Sequence, residues 1–257
     1  MRVIVLQSGS NGNCTYVEAA GRRLLFDAGI SGRQAQLRLA EFGREVTDVD
    51  ALLISHDHRD HARAMGVFHR KFDLPVHVTE PTYRAAGQSN RLGVLDDLRH
   101  FTAGDALRFG AVRVETIPTP HDGADGVGFI VDDGLVRFGI LTDLGYVFPE
   151  LEQVIGTLDA VLLESNYDPG MLDHGPYPEF LKARIRGAGG HLSNVEAAQL
   201  LSQTSESHLQ WACIGHLSEH NNCPELALRT HQEHINQGLK LHVASRYAAS
   251  GEFRIER

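Results

Sequence analysis

Residues 51–61 read Ala51-Leu52-Leu53-Ile54-Ser55-His56-Asp57-His58-Arg59-Asp60-His61. The four apolar residues make a short buried strand, and that strand runs straight into an H-x-H-x-D-H cluster. Alternate residues at a strand end point the same way, so His56 and His58 can share one ion. Asp60 and His61 then turn into the next element, with a helix expected from about Asp60, and can face a second ion. Imidazole and carboxylate donors suit Zn²⁺, Mn²⁺ or Fe. The plainer reading is a polar surface turn. It does not account for a buried strand delivering the cluster, with a suitable donor at every position.

Working outward, Val3–Leu6, Thr15–Val17 and Arg23–Phe26 are short apolar runs separated by Gly-rich turns and read as strands. Ser31 opens a helical pattern with Gln34 three residues on, a capping box. Val76–Thr79, Val112–Ile117, Phe129–Val131 and Val136–Thr142 read as further strands. In the second half Ala160–Glu164, Trp211–Gly215 and Leu239–Ala244 are core strands. Ser193 and Glu196 cap a helix, and Pro224 sits in the first turn of another. Strands dominate, helices fall between them, and no strict βαβ alternation holds throughout. The pattern predicts two packed sheets with helices outside. With no linker, low-complexity tract or repeat, residues 1–257 read as one α/β (α+β) domain.

Composition narrows the class. At 42% hydrophobic and 22% charged residues the chain is an ordinary globular protein. Three cysteines, Cys14, Cys213 and Cys223, form no C-x-x-C pair and cannot pair completely, so they read as free thiols in a reducing compartment. No apolar run is long enough for a signal-peptide core or a bilayer span, and the expected location is the cytoplasm, with no membrane contact and no obligate protein partner. A net charge of −9 argues against broad, nonspecific nucleic-acid binding but leaves room for a local basic cleft. Fifteen histidines is a high count for this length, and several fall beside Asp or at strand ends, as metal ligands do.

The cluster resembles the signature of the metallo-β-lactamase superfamily, and further motifs similar to that family's follow in order along nearly the whole chain. Phe26-Asp27-Ala28-Gly29 resembles the family's early turn, in which the Asp supports the metal loop. His121, after Pro118-Thr119-Pro120, resembles the third histidine of the first metal site. Asp143 resembles the bridging carboxylate, and His216, closing Trp211–Gly215, the last ligand of the second site. Singly these residues read as well as a loop histidine, a turn or N-cap aspartate and a cap; their order and their positions at strand ends favour the joint reading. The resemblance implies a four-layer αβ/βα sandwich holding two divalent metal ions, Zn or Mn. His56, His58, His121 and Asp143 would hold one ion, and Asp60, His61, Asp143 and His216 the other.

Two further stretches point within the superfamily. Leu162-Leu163-Glu164-Ser165 and Gly190-His191-Leu192-Ser193 resemble the phosphodiesterase branch, in which a Glu orients a His that protonates the leaving oxygen. Ser8-Gly9-Ser10-Asn11-Gly12-Asn13-Cys14 and His216-Leu217-Ser218-Glu219-His220-Asn221-Asn222 resemble the YycJ/WalJ-like subfamily. The resemblance therefore implies a phosphodiesterase or nuclease, a 5′ DNA exonuclease among the options, with DNA favoured over RNA as the nucleic-acid substrate. A metal-bridging hydroxide would attack phosphorus, Glu164 and His191 would form the acid dyad, and Asp60 would orient or deprotonate the water. Ser10, Asn13 and Asn221 are candidate substrate contacts, and Arg59, Arg63 and Arg91 candidate phosphate contacts or solvated surface arginines. The Ser8–Asn13 loop reads two ways, as a hairpin turn or as a backbone N–H cradle for phosphate. The long insertion of the RNA-processing branch is absent. Two other classes stay open: a hydrolase of a small ester, thioester or cyclic phosphate, and a metal-bound sensor or adaptor without turnover.

Overall fold

Period-two alternation along the strands sends successive side chains to opposite faces, and the burial pattern follows it. The computed structural model describes residues 1–203, 208–235 and 238–257. The first half contributes β1 (Arg2–Gln7), β2 (Cys14–Ala19), β3 (Arg22–Phe26), α1 (Gly32–Ala40), β4 (Ala51–Leu53), α2 (Arg59–Ala62), α3 (Met65–Phe72), β5 (Val76–Thr79), α4 (Glu80–Ser89) and β6 (Leu98–Phe101). The second contributes β7 (Ala106–Phe109), β8 (Val112–Pro118), β9 (Val127–Asp132), β10 (Arg137–Leu141), α5 (Pro149–Ile155), β11 (Ala160–Glu164), α6 (Pro169–His174), α7 (Glu179–Arg186), α8 (Asn194–Gln203), β12 (Trp211–Gly215), α9 (Pro224–His234), β13 (Lys240–Val243) and β14 (Phe253–Arg254). Among the described residues there are two seven-stranded sheets, ordered β14-β1-β2-β3-β4-β5-β6 and β13-β12-β11-β10-β9-β8-β7.

One face of each sheet meets the other. Val5, Leu24, Phe26 and Leu53 pack against Val114, Phe129, Phe138 and Leu162 in a single buried cluster, and the Phe26 and Phe129 rings lie 5.1 Å apart. The opposite faces take the helices. Ile4, Leu25, Leu52 and Val76 pack under Leu39 of α1 and Phe68 of α3; Ile130, Val161 and Leu163 pack under Leu151 of α5 and Leu200 of α8. The result is the expected four-layer αβ/βα sandwich. Both capping boxes form. Gln34 N donates to Ser31 Oγ while Ser31 N donates to Gln34 Oε1, and Ser193 and Glu196 exchange the same pair.

The sheets are parallel over β3-β4-β5-β6 and β10-β11-β12-β13. Parallel neighbours need crossover connections, so the C-terminal ends of β3, β4, β10, β11 and β12 deliver their loops to a common edge. Three residues there are non-glycine yet lie in the left-handed region: Asp27 (φ 65°), Asp143 (φ 60°) and His216 (φ 54°). The single helix expected from Asp60 is instead broken into α2 and α3. Ala28 N donates to His61 O at 2.6 Å and Ala64 N donates to Ala28 O at 2.9 Å. The turn after β3 thus takes the backbone groups a continuous helix would use. Gly29 packs against the Asp60 carbonyl with no room for a Cβ. Among the described residues no helix is long and apolar enough to cross a membrane.

Candidate metal centre

His56, His58 and His121 come together, as do His56, His61 and Asp143, and Asp60, His61 and His216; within each set the nearest donor atoms lie within 4.8 Å of one another. Asp143 stands between the sets. Its Oδ1 is 3.6 Å from His121 Nε2 and 3.5 Å from His216 Nε2, and its Oδ2 is 3.1 Å from His61 Nε2. All seven residues expected as ligands therefore converge on one spot.

Each imidazole is held by one nitrogen and presents the other inward. His56 Nδ1 is 3.0 Å from Ser55 Oγ, His61 Nδ1 is 2.7 Å from Asp27 Oδ2, and His121 Nδ1 donates to Gly190 O at 2.8 Å. His216 Nδ1 is 3.0 Å from Glu164 Oε1, and His58 Nε2 is 3.4 Å from Asp122 Oδ1. Asp27, expected to support the metal loop, also accepts from Ser55 N at 2.8 Å. Such outward partners fix ring orientation and tautomer and are the usual companions of metal-binding histidines. One inward atom, His56 Nε2, is fully buried without a hydrogen-bond partner, and Asp143 Oδ2, also buried, meets only His61 Nε2, at 3.1 Å. Buried polar atoms without partners are costly and call for an ion or water. Imidazoles and carboxylates in this number fit a divalent cation.

Comparison with known proteins agrees with this geometry. Residues 22–210 match the Beta-lactamase superfamily domain. The exodeoxyribonuclease WalJ of Streptococcus pneumoniae is 37% identical over 237 residues, covering 91% of this chain and 86% of that protein. The chain belongs to the β-lactamase superfamily. Within it the chain is WalJ/YycJ-like: the exodeoxyribonuclease YycJ of Bacillus anthracis is 35% identical over 87% of this chain and 84% of its own length. The metallo-β-lactamase fold protein YhfI of Bacillus subtilis superposes with a TM-score of 0.74, at 14% identity, covering 98% and 99% of the two chains.

Charge in this superfamily site is sharply divided. Burial, then the neighbouring His61, His121 and His58, push His56 well below the ordinary imidazole value despite Asp143. Burial opposes charge on His61 too, but Asp143, Asp27 and Asp60 outweigh it and hold that ring well above the ordinary value. Burial likewise opposes charge on His216, and Asp143, Asp60 and Glu164 raise it to about 10. Burial would raise Asp143, yet His216, His61 and His56 hold it well below the carboxylate range. The carboxylates thus raise His61 and His216, and those two rings in turn hold Asp143 down.

Glu164 and His191 are joined as expected: His191 Nδ1 is 2.8 Å from Glu164 Oε1. The same carboxylate does more than the sequence indicates. It also receives His216 Nδ1 and the backbone N–H groups of Leu144 at 2.8 Å and Leu192 at 3.2 Å. The dyad and the last expected ligand thus share one buried acid.

The centre opens into a cleft of about 320 Å³. Ser10, Asp60, Asp143, His191 and His216 line it, and so does Arg59. Asn13 and Asn221 do not. Asn13 is buried and turned inward: its Oδ1 accepts from Gly9 N at 2.9 Å, and its Nδ2 lies 2.8 Å from His61 Nε2 and 3.4 Å from Asp60 Oδ2. Asn221 is fully buried and donates to Ser218 Oγ at 3.2 Å. These two asparagines hold loops under the centre instead of facing the cleft. Arg63 donates to Asn11 O at 3.0 Å, bracing the Ser8–Asn13 loop, and Arg91 is exposed and does not line the cleft. Three supporting residues were not singled out from sequence. Asp57 Oδ1 accepts from Ala124 N at 2.7 Å, Asp122 sits against His58, and Asn166 Nδ2 donates to His216 O at 2.8 Å. Each lies next to or near a motif residue, which is the only signal the sequence holds for them.

Proposed function

We propose that the protein is a dinuclear metal-dependent phosphodiesterase, a nuclease acting on DNA. The observation that supports this most is the gathering of five imidazoles, Asp60 and Asp143 into overlapping donor sets, each ring with a partner on its outward nitrogen, beside a hydrogen-bonded Glu164–His191 pair whose atoms also lie close to Asp143 and His216. A pair of carboxylate-bridged sets matches a two-ion hydrolytic site, with His56, His58, His121 and Asp143 for one ion and Asp60, His61, Asp143 and His216 for the other. Divalent cations there supply electrophilic stabilisation of phosphoryl oxygens and an acidified water.

The chain's own residues do the rest. Glu164 fixes His191 through Nδ1 and leaves Nε2 for the cleft, where it delivers a proton to the leaving oxygen. Asp60, a fifth exposed at its side chain, reaches the cleft and holds or accepts a proton at its carboxylate. The names of the WalJ and YycJ relatives, both exodeoxyribonucleases, support DNA as the polymer.

The test is a substrate panel with zinc- or manganese-loaded protein: 5′-labelled duplex DNA, single-stranded DNA, RNA and bis-p-nitrophenyl phosphate. Turnover of DNA and the chromogenic diester is expected. Cleavage of the small diester with no polymer cut would remove the nuclease reading, and no turnover of any ester would remove the enzyme.

A further inference from the structure

One wall of the cleft is built by α7 and the segment before it. Tyr177, Leu181, Arg184 and Ile185 all line the cleft beside His58 and His191. On a helix, positions three and four apart share a face, so Leu181, Arg184 and Ile185 form one stripe. The wall is fixed to the site. His191 N donates to Ile185 O at 2.9 Å, Asp122 N donates to Gly189 O at 3.0 Å, and Lys182 Nζ donates to Asp173 O at 2.8 Å.

Arg184 is held in an unusual way. Its Nε donates to Asp122 Oδ2 at 2.6 Å, while the other oxygen of that carboxylate faces His58 Nε2. The bond uses Nε and leaves the terminal Nη groups without a partner among the described residues, on a side chain 53% exposed. An arginine positioned by a carboxylate at Nε presents its outer edge as a ready fork for phosphate oxygens. Arg59 and Arg184 are the two guanidinium groups lining a cleft that also presents the carboxylates of Asp60 and Asp143 and the imidazoles of His58, His191 and His216. Tyr177 is half-buried, packed against Leu172 and Ile185 on one side, with its ring 5.7 Å from that of His220. An aromatic ring and an arginine along one wall are the two elements that hold a single strand: base on ring, phosphate on cation.

We infer that α7 with Tyr177 is the strand-docking wall: Arg184, set by Asp122, takes a backbone or terminal phosphate of the DNA, and Tyr177 stacks on an unpaired base next to the scissile bond. The inference rests on the nucleic-acid reading of the site. It places the specificity for polymer over small diester on α7 and assigns Asp122 a double duty, orienting His58 on one oxygen and Arg184 on the other.

The test measures binding of short labelled single-stranded DNA to zinc-loaded protein carrying His191→Ala, by fluorescence anisotropy, for oligonucleotides with a 5′-phosphate and with a 5′-hydroxyl. Arg184→Ala and Tyr177→Ala should each weaken binding by about tenfold or more. Arg184→Ala should also flatten the dependence of log K on log salt by about 0.7. In protein with His191 intact, the ratio of kcat/KM on oligonucleotide to kcat/KM on bis-p-nitrophenyl phosphate should fall about tenfold with either variant. Metal content and circular dichroism report folding independently. A loss confined to the 5′-phosphorylated strand assigns Arg184 to the terminal phosphate, and a loss on both strands assigns it to an internal one. Unchanged affinity and salt slope in both variants would overturn the wall while leaving the nuclease reading intact. If the parent protein neither binds nor cuts DNA, the nuclease reading itself fails.

Discussion

Glu164→Gln is the most informative single change. Glu164 is fully buried, and four donors converge on its two oxygens: His191 and His216 on Oε1, Leu144 N and Leu192 N on Oε2. Glutamine keeps the shape but offers one acceptor and one NH₂ donor. If its oxygen faces the two backbone N–H groups, its NH₂ faces two imidazole nitrogens that must then carry no proton. In the metal-free protein that strips the Nδ1 proton from His216, which is otherwise raised to about 10, and leaves a proton only on Nε2, the atom aimed at Asp60 and Asp143. If it turns the other way, two backbone donors are orphaned.

The magnitude follows from the pKa. Burial pushes Glu164 up, but His191 and the hydrogen bonds from His191 and His216 outweigh it, bringing the group from 4.5 down to about 2. A depression of that size corresponds to about 3 kcal/mol of stability, and breaking a buried charge pair from one side typically costs about 3–5 kcal/mol. The sign is that of a depressed carboxylate. The contribution is complete above pH 4.5 and is lost as pH falls towards 2. Urea denaturation of chelator-treated protein should therefore show the variant about 3–5 kcal/mol less stable than wild type at pH 7, with the gap closing below pH 4.5. Metal loading should also suffer, since losing an outward partner of a ligand histidine costs about 10–100-fold in affinity. A variant within about 1 kcal/mol of wild type, with a gap that does not narrow in acid, would refute the four-donor account.

His191→Ala should lower turnover of bis-p-nitrophenyl phosphate by about 10²–10⁴-fold and leave metal content unchanged by atomic absorption; a loss of metal would mean that His191 is a ligand. Asp143→Ala should deplete both ions, because its two oxygens face both donor sets, and retention of two full equivalents would contradict a bridging role. Loading the metal-free protein with zinc at pH 7 should release protons, since His216 is raised to about 10 and His61 well above its ordinary value. Calorimetry in buffers of different ionisation enthalpy reads that number, and zero net release would contradict the protonated apo site. In the same metal-free protein, the stabilisation carried by charged His216 is complete below pH 6.5 and should fade as pH rises through about 10, seen as a falling urea midpoint.

The strands that end at the site were legible because their signal is local. Ala51–Leu53, Ala160–Glu164 and Trp211–Gly215 are uninterrupted apolar runs, as buried parallel strands are, and each stops at a polar motif residue. Both capping boxes were legible for the same reason: donor and acceptor lie three residues apart. What the chain alone did not reveal depends on distant partners. The break between α2 and α3 comes from Ala28, some thirty residues upstream. β6 and β7 are four residues each and half exposed, so neither carries a buried apolar run. Asn13 and Asn221 read as candidate substrate contacts, being polar residues in motif loops. They are buried because their amides satisfy backbone and ligand groups that the sequence order does not bring together. Asp122 takes on a role only when α7 brings Arg184 across from 62 positions away.

The strained residues and the unpartnered ones occupy the same few ångströms. Asp27, Asp143 and His216 all hold a left-handed backbone that a non-glycine residue adopts at a cost of about 1–3 kcal/mol, and each sits where a strand of a packed sheet gives way to the site. A residue that merely ended its strand would not need such a conformation; glycine would do. At these positions the side chain itself is required. Asp143 must face His61 with one oxygen and His121 and His216 with the other, His216 must face Asp60 while reaching back to Glu164, and Asp27 must grip Ser55 and His61 together. The strain is thus distributed among the residues whose aim matters most, and it is held by the two apolar clusters that fix the strands on either side. The rigidity of the sandwich and the directionality of the ligands are the same property seen from the core and from the cleft.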